Sequence, residues 1–176
     1  MIQLLSVKEP NKLNFGLRQI YESSFPEDER RNWDQLLDLL GNTRYKLFEI
    51  YIQEKFIGFI SVWDLEEINF IEHFAITDSE QGKGFGTQAL NQVVSMNSKP
   101  FILEVEEPFT QTAQKRISFY ERLNFFTNAG SYVQPPYSIG KSSIKMLLMS
   151  YPMKIELENF ERIKSQIHNQ VYGYNG

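Results

Sequence analysis

The chain has 176 residues with a net charge of -4, and its hydrophobic, aromatic and charged fractions are 41%, 14% and 23%. This length and composition are typical of one globular domain and exclude a disordered or fibrous protein. The absence of cysteine excludes disulfides, thiolate zinc sites and a cysteine nucleophile, the two histidines are too few for a multi-histidine metal site, and the negative charge argues against nucleic acid as the main partner.

The N-terminal third of the chain predicts a strand, two helices and a β-hairpin. The strand covers residues 1–7 and the first helix residues 12–24. Pro26 opens the second helix, whose first turn carries three acidic residues that suit the positive end of the helix dipole. Residues 45–53 and 55–63 are rich in β-branched and aromatic side chains on either side of a short polar turn, so they predict an antiparallel hairpin.

The rest of the chain alternates between predicted strands and helices. The strands cover 67–76, 101–107 and 141–151, and the helices cover 84–97, 112–124 and 156–172. A strand, a helix and a strand in this order form a crossover, so 67–76 and 101–107 are predicted to be parallel neighbours in a mixed sheet. The last helix is amphipathic, because apolar residues recur in it at spacings of three and four.

A glycine-rich loop joins the strand at 67–76 to the helix that follows it. The stretch EQGKGFGTQAL places glycines at positions 82, 84 and 86. Exposed main-chain amides at the start of a helix form an anion site, which glycines leave open. The alternative is a tight turn that binds nothing. The spacing G-x-G-x-G fits neither the dinucleotide fingerprint nor the P-loop.

Two segments carry a resemblance to a known family. The pattern Q-x-x-G-x-G, formed by Gln81, Gly84 and Gly86, is similar to the central [RQ]-x-x-G-x-[GA] motif of the GNAT superfamily of N-acetyltransferases. The segment FYERLNF at 119–125 resembles the F/L-Y-x-x-x-G-F segment of that family, with Asn124 in place of its glycine. Asparagine is the residue other than glycine that best tolerates a left-handed backbone, so we expect the turn to be kept.

The resemblance implies a fold and a domain organisation. We expect one acetyltransferase domain over residues 1–176, with a core at about 2–151 and a C-terminal helical extension at 154–172. The implied fold is α/β (α+β), with a central, mixed and mostly antiparallel sheet whose parallel fourth and fifth strands splay apart. Helices cover both faces, and the C-terminal helix is an addition.

The resemblance also implies that acetyl-CoA is the co-substrate and that no metal is used. By analogy with the family, pantetheine pairs with the main chain of Phe74, Ala75 and Ile76. The pyrophosphate is expected on the amides of the loop residues Gln81, Gly82, Lys83, Gly84, Phe85, Gly86 and Thr87. Side chains are absent at three of these positions so that the backbone acts as the anion receptor.

Tyr120 aligns with the tyrosine that similar enzymes place beside the CoA sulfur as general acid. Its alternative role is structural, because an aromatic residue on an apolar helix stripe usually belongs to the core. Without cysteine or a G-x-S-x-G elbow, a covalent acyl-enzyme is not expected, and direct attack in a ternary complex is the simpler mechanism.

Two carboxylates stand on predicted central strands, where both faces of a strand are usually apolar. Glu72 is the first candidate for the general base, and Glu104 is the second candidate or an amine-binding group. The alternative is that either carboxylate pairs with a buried arginine or a backbone amide.

Other residues have weaker claims to a functional role. His73 points away from Glu72 and is expected in the core, whereas His168 is expected at the surface. Three basic residues approach the CoA phosphates or form a solvated face: Lys83, Lys115 and Arg116. Three aromatic residues line an acceptor pocket or simply pack: Phe25, Tyr132 and Tyr137.

The leading hypothesis is an N-acetyltransferase that acts on a small-molecule or peptide amine. The alternatives are an acyl-CoA-binding module without transfer activity, and a partner-binding domain that uses the tail helix. No apolar run is long enough to cross a bilayer, and residues 1–7 lack the pattern of a signal peptide, so we expect a cytoplasmic protein without a membrane partner. A homodimer is possible.

Overall fold

The structure is a computed structural model that describes residues 1–174. Within these residues, the strands are β1 (Ile2–Val7), β2 (Tyr45–Ile52), β3 (Lys55–Asp64), β4 (Asn69–Ile76), β5 (Phe101–Glu106), β6 (Phe126–Thr127), β7 (Tyr132–Gln134) and β8 (Ile144–Tyr151). The helices are α1 (Gly16–Ser24), α2 (Trp33–Leu39), α3 (Phe85–Ser95), α4 (Gln111–Glu121) and α5 (Leu157–Val171).

The chain forms two compact units. The first unit contains Met1–Asp64 and Ile71–Ser98, and the second contains Leu65–Phe70 and the chain from Lys99 onward. Strand β4 contributes residues to both. The expectation of a single domain over the whole chain stays a prediction.

In the first unit, the strands follow one another in the order β1-β2-β3-β4. Strands β1 and β2 pair antiparallel, as do β2 and β3, which confirms the predicted hairpin. Helix α1 packs on β3 and α3 packs on β1. The largest completely buried side chains of this unit are Leu17, Tyr21, Leu36, Leu47, Ile50, Ile57, Phe59 and Ile60.

The β2–β3 register shifts between Ile50 and Tyr51, where β3 has an extra residue. Gly58 lies at this irregularity and approaches β4 closely. A Cβ atom added to Gly58 would lie 2.2 Å from the carbonyl oxygen of Ala75 and 3.0 Å from the Cα atom of Ile76. Only glycine therefore fits at position 58 in the observed arrangement of β3 and β4.

In the second unit, β8 pairs antiparallel with β5, β6 and β7. Helix α4 packs on β5 and on β6. The buried side chain of Asn128 joins the connection after β6 to the middle of β8 and to the segment after β8, because it donates to the carbonyl of Leu148 and accepts from the amide of Ile155. These buried hydrogen bonds fix the segment that leads to α5.

The structure confirms the predicted fold class, which is α/β with a central mixed sheet. The sheet is mixed, because β4 and β5 run parallel whereas the pairs described above are antiparallel. The predicted C-terminal helix is present as α5. None of the helices within residues 1–174 combines the length and the apolar character that a membrane crossing requires.

Two predicted helix starts were wrong. The second helix begins at Trp33 and not at Pro26, because Asn32 and Gln35 form a reciprocal capping box there, and Glu27–Glu29 form only a short 3-10 turn. The first helix begins at Gly16 and not at residue 12, after a separate 3-10 turn at Pro10–Lys12. The short strands β6 and β7 were not predicted, because two or three residues carry no readable alternation.

Candidate active site

The glycine loop lies in the first unit, between β4 and α3. Gly82 and Gly84 both have left-handed backbone conformations, with φ of 75° and 81°. A Cβ atom at either position would meet no atom within 4 Å. Glycine is therefore needed here for its conformation, and the space in front of the loop is open.

Helix α3 starts with amides that no side chain caps. Gly84 is the N-cap residue, and no side-chain hydrogen bond closes this end of the helix. The first intrahelical bond joins the amide of Gln88 to the carbonyl of Gly84 at 3.1 Å. The amides of Phe85, Gly86 and Thr87 precede this bond and have no intrahelical acceptor, which is the arrangement that binds an anion.

Gln81 stabilises the conformation of the loop through hydrogen bonds to neighbouring residues. Its side-chain amide donates to the carbonyl of Ile76 at 2.9 Å and to Oδ1 of Asp78 at 3.0 Å. Its main-chain amide donates to the carbonyl of Thr77 at 3.1 Å. Because these groups are already engaged, Gln81 shapes the loop, and the expectation that its amide faces an anion has no support in the geometry.

Lys83 forms part of an ion cluster beside the loop. Its Nζ lies 3.0 Å from Oε2 of Glu80, and the Nζ of Lys55 lies 2.7 Å from Oε1 of the same carboxylate. Hydrogen bonds from Lys55 and Lys83 lower the pKa of the Glu80 carboxyl. Glu80 therefore holds two cations next to the glycine loop.

The end of β4 packs on a small apolar cluster. The side chains of Phe74, Ile76 and Phe85 lie against the buried residues Ile2, Ile50, Ile57 and Ala89. The side chain of Ala75 is buried as well. Both predicted cofactor segments therefore pack against the same apolar cluster of the first unit.

Glu72 is fully buried and paired with Arg31. The guanidinium contacts Oε1 of Glu72 through Nε at 3.0 Å and through Nη2 at 2.9 Å. The indole nitrogen of Trp63 donates to Oε2 at 2.9 Å. The side chain of Glu72 has no exposed surface. Nothing in the charged run that contains Arg31 signals this partner, because such runs are usually solvated.

The electrostatics of Glu72 do not suit a general base. Burial by itself raises the pKa of the Glu72 carboxyl, but the charge of Arg31 and the hydrogen bonds from Trp63 and Arg31 outweigh it and lower the pKa. A general base works best with a pKa near the working pH. The geometry matches the alternative in which this carboxylate pairs with a buried arginine.

His73 is a core residue, as expected. Its Nε2 lies 3.1 Å from the carbonyl oxygen of Glu29, and its ring packs edge-on against Tyr21 and Phe25. Burial lowers the pKa of His73, so the ring is neutral at pH 7. Phe25 therefore takes part in core packing beside His73.

Tyr120 lies in the second unit on α4. Its ring packs against Phe119 and Phe125, with centroid distances of 5.2 and 5.6 Å. Burial raises its pKa to about 12, so the phenol stays protonated at neutral pH. Such a group has a proton to donate, but a pKa this far above the working pH makes it a weaker general acid, and its packing fits the structural alternative.

The turn after α4 keeps its left-handed residue. Asn124 has φ of 63°, as its identity predicted, and its amide donates to the carbonyl of Glu121 at 3.0 Å.

Thr110 caps the start of α4 by accepting from the amide of Ala113. Arg116 pairs with Glu106 at 2.9 Å, so this cation is bound to its own unit.

Glu104 lies on β5 within a cluster of tyrosines. Its Oε1 accepts a hydrogen bond from the hydroxyl of Tyr132, and its Oε2 accepts one from the hydroxyl of Tyr172 at 2.7 Å. The hydroxyls of Tyr137 and Tyr172 lie 3.3 Å apart. Burial and the charge of Glu104 raise the pKa of Tyr132 well above its usual value, so Tyr132 remains a donor. Tyr172 was not singled out from the sequence.

His168 lies partly exposed on α5, at the surface as expected. Its Nε2 lies 3.0 Å from the carbonyl oxygen of Val133, and its ring lies 5.3 Å from that of Tyr132.

Within residues 1–174, no group of three or more histidine, aspartate or glutamate side chains is arranged to hold a metal ion.

Comparison with known proteins relates this architecture to one family. Residues 14–125 match the model of the acetyltransferase (GNAT) family. A GNAT-family protein from Bacteroides thetaiotaomicron has 29% sequence identity and a TM-score of 0.88, and the match covers 99% of both chains. No curated protein sequence matches this chain.

Two more distant structures share the fold. The ribosomal-protein-S18-alanine N-acetyltransferase of Escherichia coli has 18% identity and a TM-score of 0.64, over 90% of this chain and 98% of that one. A GNAT family acetyltransferase from Elizabethkingia anophelis, whose structure has acetyl-CoA bound, has 15% identity and a TM-score of 0.60, over 85% of this chain and 96% of that one.

Proposed function

Because this chain belongs to the acetyltransferase (GNAT) family and is therefore an acetyl-CoA-dependent enzyme, we propose that it acetylates a primary amine by direct attack of that amine within a ternary complex. The observation that carries the proposal is the glycine loop, with two left-handed glycines and a helix start whose amides no side chain caps. Both features suit the pyrophosphate of CoA.

The residues of the first unit fit acetyl-CoA. The amides from Gly82 to Thr87 hold the pyrophosphate, and Gln81 keeps the loop in the required shape. The main chain of β4 at Phe74 and Ala75 pairs with pantetheine, whereas the carbonyl of Ile76 is engaged by Gln81. When bound, acetyl-CoA supplies the acetyl group that the amine receives.

Tyr120 is the proposed general acid. Its raised pKa keeps a proton on Oη at neutral pH, and this proton passes to the thiolate that leaves when the carbon–sulfur bond breaks. Its predicted role remains a proposal, since packing explains its burial as well.

Glu104 is the proposed acceptor-binding carboxylate, and it takes a proton from the attacking amine directly or through water. Glu72 is a poorer choice for this role, because its side chain has no exposed surface and the charge of Arg31 already balances it. The acceptor is a small-molecule amine or a peptide N-terminus. The E. coli structure that shares this fold is an N-acetyltransferase named for an alanine of ribosomal protein S18.

The proposal is tested by thiol release from acetyl-CoA across a panel of amines. The panel contains a polyamine, an aminoglycoside, an amino acid, an amino sugar and a short peptide that begins with alanine. The protein contributes no thiol background, because it has no cysteine. We expect release with one class of amine.

In the same assay, Tyr120→Phe is expected to lower kcat about 100-fold with the acetyl-CoA Kd unchanged, since general acid catalysis contributes at least roughly that factor. Tyr151→Phe is the matched control, because the ring of Tyr151 packs against the same Phe125 at 5.3 Å. Equal kcat in Tyr120→Phe and Tyr151→Phe would remove Tyr120 from the mechanism. Binding of acetyl-CoA without release on any amine would favour a binding module instead.

A further inference from the structure

We propose that Tyr172, the residue that ends α5, is a positioning residue for the acceptor-binding carboxylate of Glu104. The inference rests on the proposed function. It assigns the C-terminal helix the role of holding Tyr172 against Glu104 in the acceptor site. It concerns only residues of the second unit.

The contact itself is direct. The hydroxyl of Tyr172 donates to Oε2 of Glu104 at 2.7 Å, while the hydroxyl of Tyr132 donates to the other oxygen. One donor follows directly after α5 as its C-cap residue and the other lies on β7, so the carboxylate is held from two parts of the unit. Phenols orient a carboxylate without adding a counter-charge, in contrast to the guanidinium that pairs with Glu72.

Tyr172 is itself held in place. Its ring lies 4.8 Å from the ring of Tyr137, which is only 7% exposed, and the two hydroxyls lie 3.3 Å apart. A hydroxyl fixed in this way keeps one direction towards Glu104, so the side chain loses little further freedom when a ligand arrives.

Helix α5 is anchored along its length, which determines where its last turn lies. The ring of Phe160 fills the space over Gly130, where an added Cβ atom would lie 2.5 Å from it. Further along, His168 contacts the carbonyl of Val133, the neighbour of Tyr132. The buried face of α5 consists of Phe160, Ile163, Ile167 and Val171. These contacts place Tyr172 beside β5 although 68 residues separate it from Glu104.

The function of this arrangement is to fix the direction of a carboxylate that must bind an ammonium group. A hydrogen bond to a charged group contributes roughly tenfold or more to an equilibrium constant. Loss of the Tyr172 hydroxyl leaves the carboxylate present but less well oriented. The affinity for the amine is therefore expected to fall, whereas the affinity for acetyl-CoA is not.

The experiment compares wild type with Tyr172→Phe, Tyr132→Phe and the matched control Tyr174→Phe. Tyr174 is 47% exposed, and its ring lies against His168 rather than on Glu104. Each protein is titrated with spermidine and with a short peptide that begins with alanine, in the presence of CoA, by calorimetry. The KM and kcat for the amine, the acetyl-CoA Kd and the melting temperature are measured alongside.

We expect Tyr172→Phe to raise the Kd and KM of the bound amine about tenfold. Tyr132→Phe should act in the same direction, and Tyr174→Phe should match wild type. The acetyl-CoA Kd should stay unchanged in Tyr172→Phe, while the melting temperature should fall by a few degrees, because a hydrogen bond to a carboxylate is lost. Equal amine Kd values in Tyr172→Phe and Tyr174→Phe would overturn the inference, as would a parallel loss of amine affinity, acetyl-CoA affinity and melting temperature, which indicates a structural role.

The readouts separate this inference from the proposed function. An amine whose binding depends on Tyr172 but which releases no thiol supports the inference and contradicts the proposed transfer. An amine that is acetylated equally well by wild type and Tyr172→Phe supports the transfer and overturns the inference. If neither amine binds to the wild-type protein, Glu104 lacks the acceptor role and the inference fails.

Discussion

At the scale of single residues, three positions show how backbone conformation selects side chains in this protein. Gly82, Gly84 and Asn124 all have left-handed backbones, and the first two shape the loop that is proposed to bind pyrophosphate. No neighbouring atom would hinder a Cβ at Gly82 or Gly84. Glycine is therefore needed at these two positions because the backbone is left-handed there. It also leaves the space beside the loop open for the proposed ligand.

Gly84→Ala is expected to lower the free energy of unfolding by about 1 kcal/mol, because a left-handed conformation costs that much for a residue with a Cβ. The acetyl-CoA Kd is expected to rise about tenfold, because the amides at the start of α3 lose their orientation towards the anion. Urea denaturation and calorimetry measure the two quantities.

The control for Gly84→Ala is Gly41→Ala. Gly41 also has open space where a methyl group would be added, but its φ lies outside the left-handed region. Its unfolding free energy should change by less than about 0.5 kcal/mol, with the same acetyl-CoA affinity as wild type. Similar affinities for Gly84→Ala and Gly41→Ala would show that the loop conformation does not matter for binding.

At the scale of elements, the close approach of β3 to β4 fixes the strand that is proposed to pair with pantetheine. Gly58 permits this approach at the point where the β2–β3 register shifts. The amide of Thr77, just after β4, donates to the carbonyl of Ile57 at 2.8 Å. The end of β4 and the start of the glycine loop are thereby joined to β3.

Gly58→Ala is expected to reduce the unfolding free energy by about 2 kcal/mol, because the added methyl group would overlap the carbonyl of Ala75 and the strands must separate. The acetyl-CoA Kd should also rise, since the main chain of β4 moves. Denaturation and calorimetry test this, with Gly41→Ala as the comparison. An unchanged unfolding free energy would mean that β3 and β4 adjust without cost.

At the scale of the whole molecule, the buried pair Arg31–Glu72 links pH to stability. Both side chains are nearly inaccessible, and the pKa of Glu72 is lowered because Arg31 and Trp63 outweigh the effect of burial. A carboxyl whose pKa is lower in the folded state stabilises the protein above the unfolded-state pKa of about 4.3, and this contribution is lost as the pH falls through the folded-state value.

Glu72→Gln is expected to reduce the unfolding free energy at pH 7 by about 3 kcal/mol, because it leaves the charge of Arg31 buried without its partner. The difference from wild type should shrink as the pH falls below the unfolded-state pKa of about 4.3, because the unfolded wild-type chain then takes up a proton more readily than the folded one. The folded variant should retain kcat, because Glu72 is not placed as the base. Denaturation curves between pH 3 and 7 and thiol release give these quantities.

Glu106→Gln provides the matched comparison. Glu106 also lies 2.9 Å from an arginine, Arg116, but this pair is about one-third exposed. Its loss should cost less than about 1 kcal/mol. A large fall of kcat in Glu72→Gln, accompanied by a changed pH profile, would restore Glu72 as the general base.

The sequence by itself determined the strands and helices with strong periodicity, the mixed sheet, the glycine loop and the family. These features depend on local patterns that a few neighbouring residues carry, such as alternation, helical spacing and glycine positions. The tail helix and the left-handed Asn124 were predicted for the same reason.

Only the tertiary structure decided which carboxylate pairs with which partner. Glu72 meets Arg31 across 41 residues, and Glu104 meets Tyr132 and Tyr172 across 28 and 68 residues. Both glutamates occupy the same kind of strand position, so the strand pattern does not distinguish an ion-paired carboxylate from one held by phenols. The difference arises because chain folding brings distant side chains to each carboxylate. The charge of those neighbouring side chains then sets the pKa of the carboxyl and its ability to bind a cation.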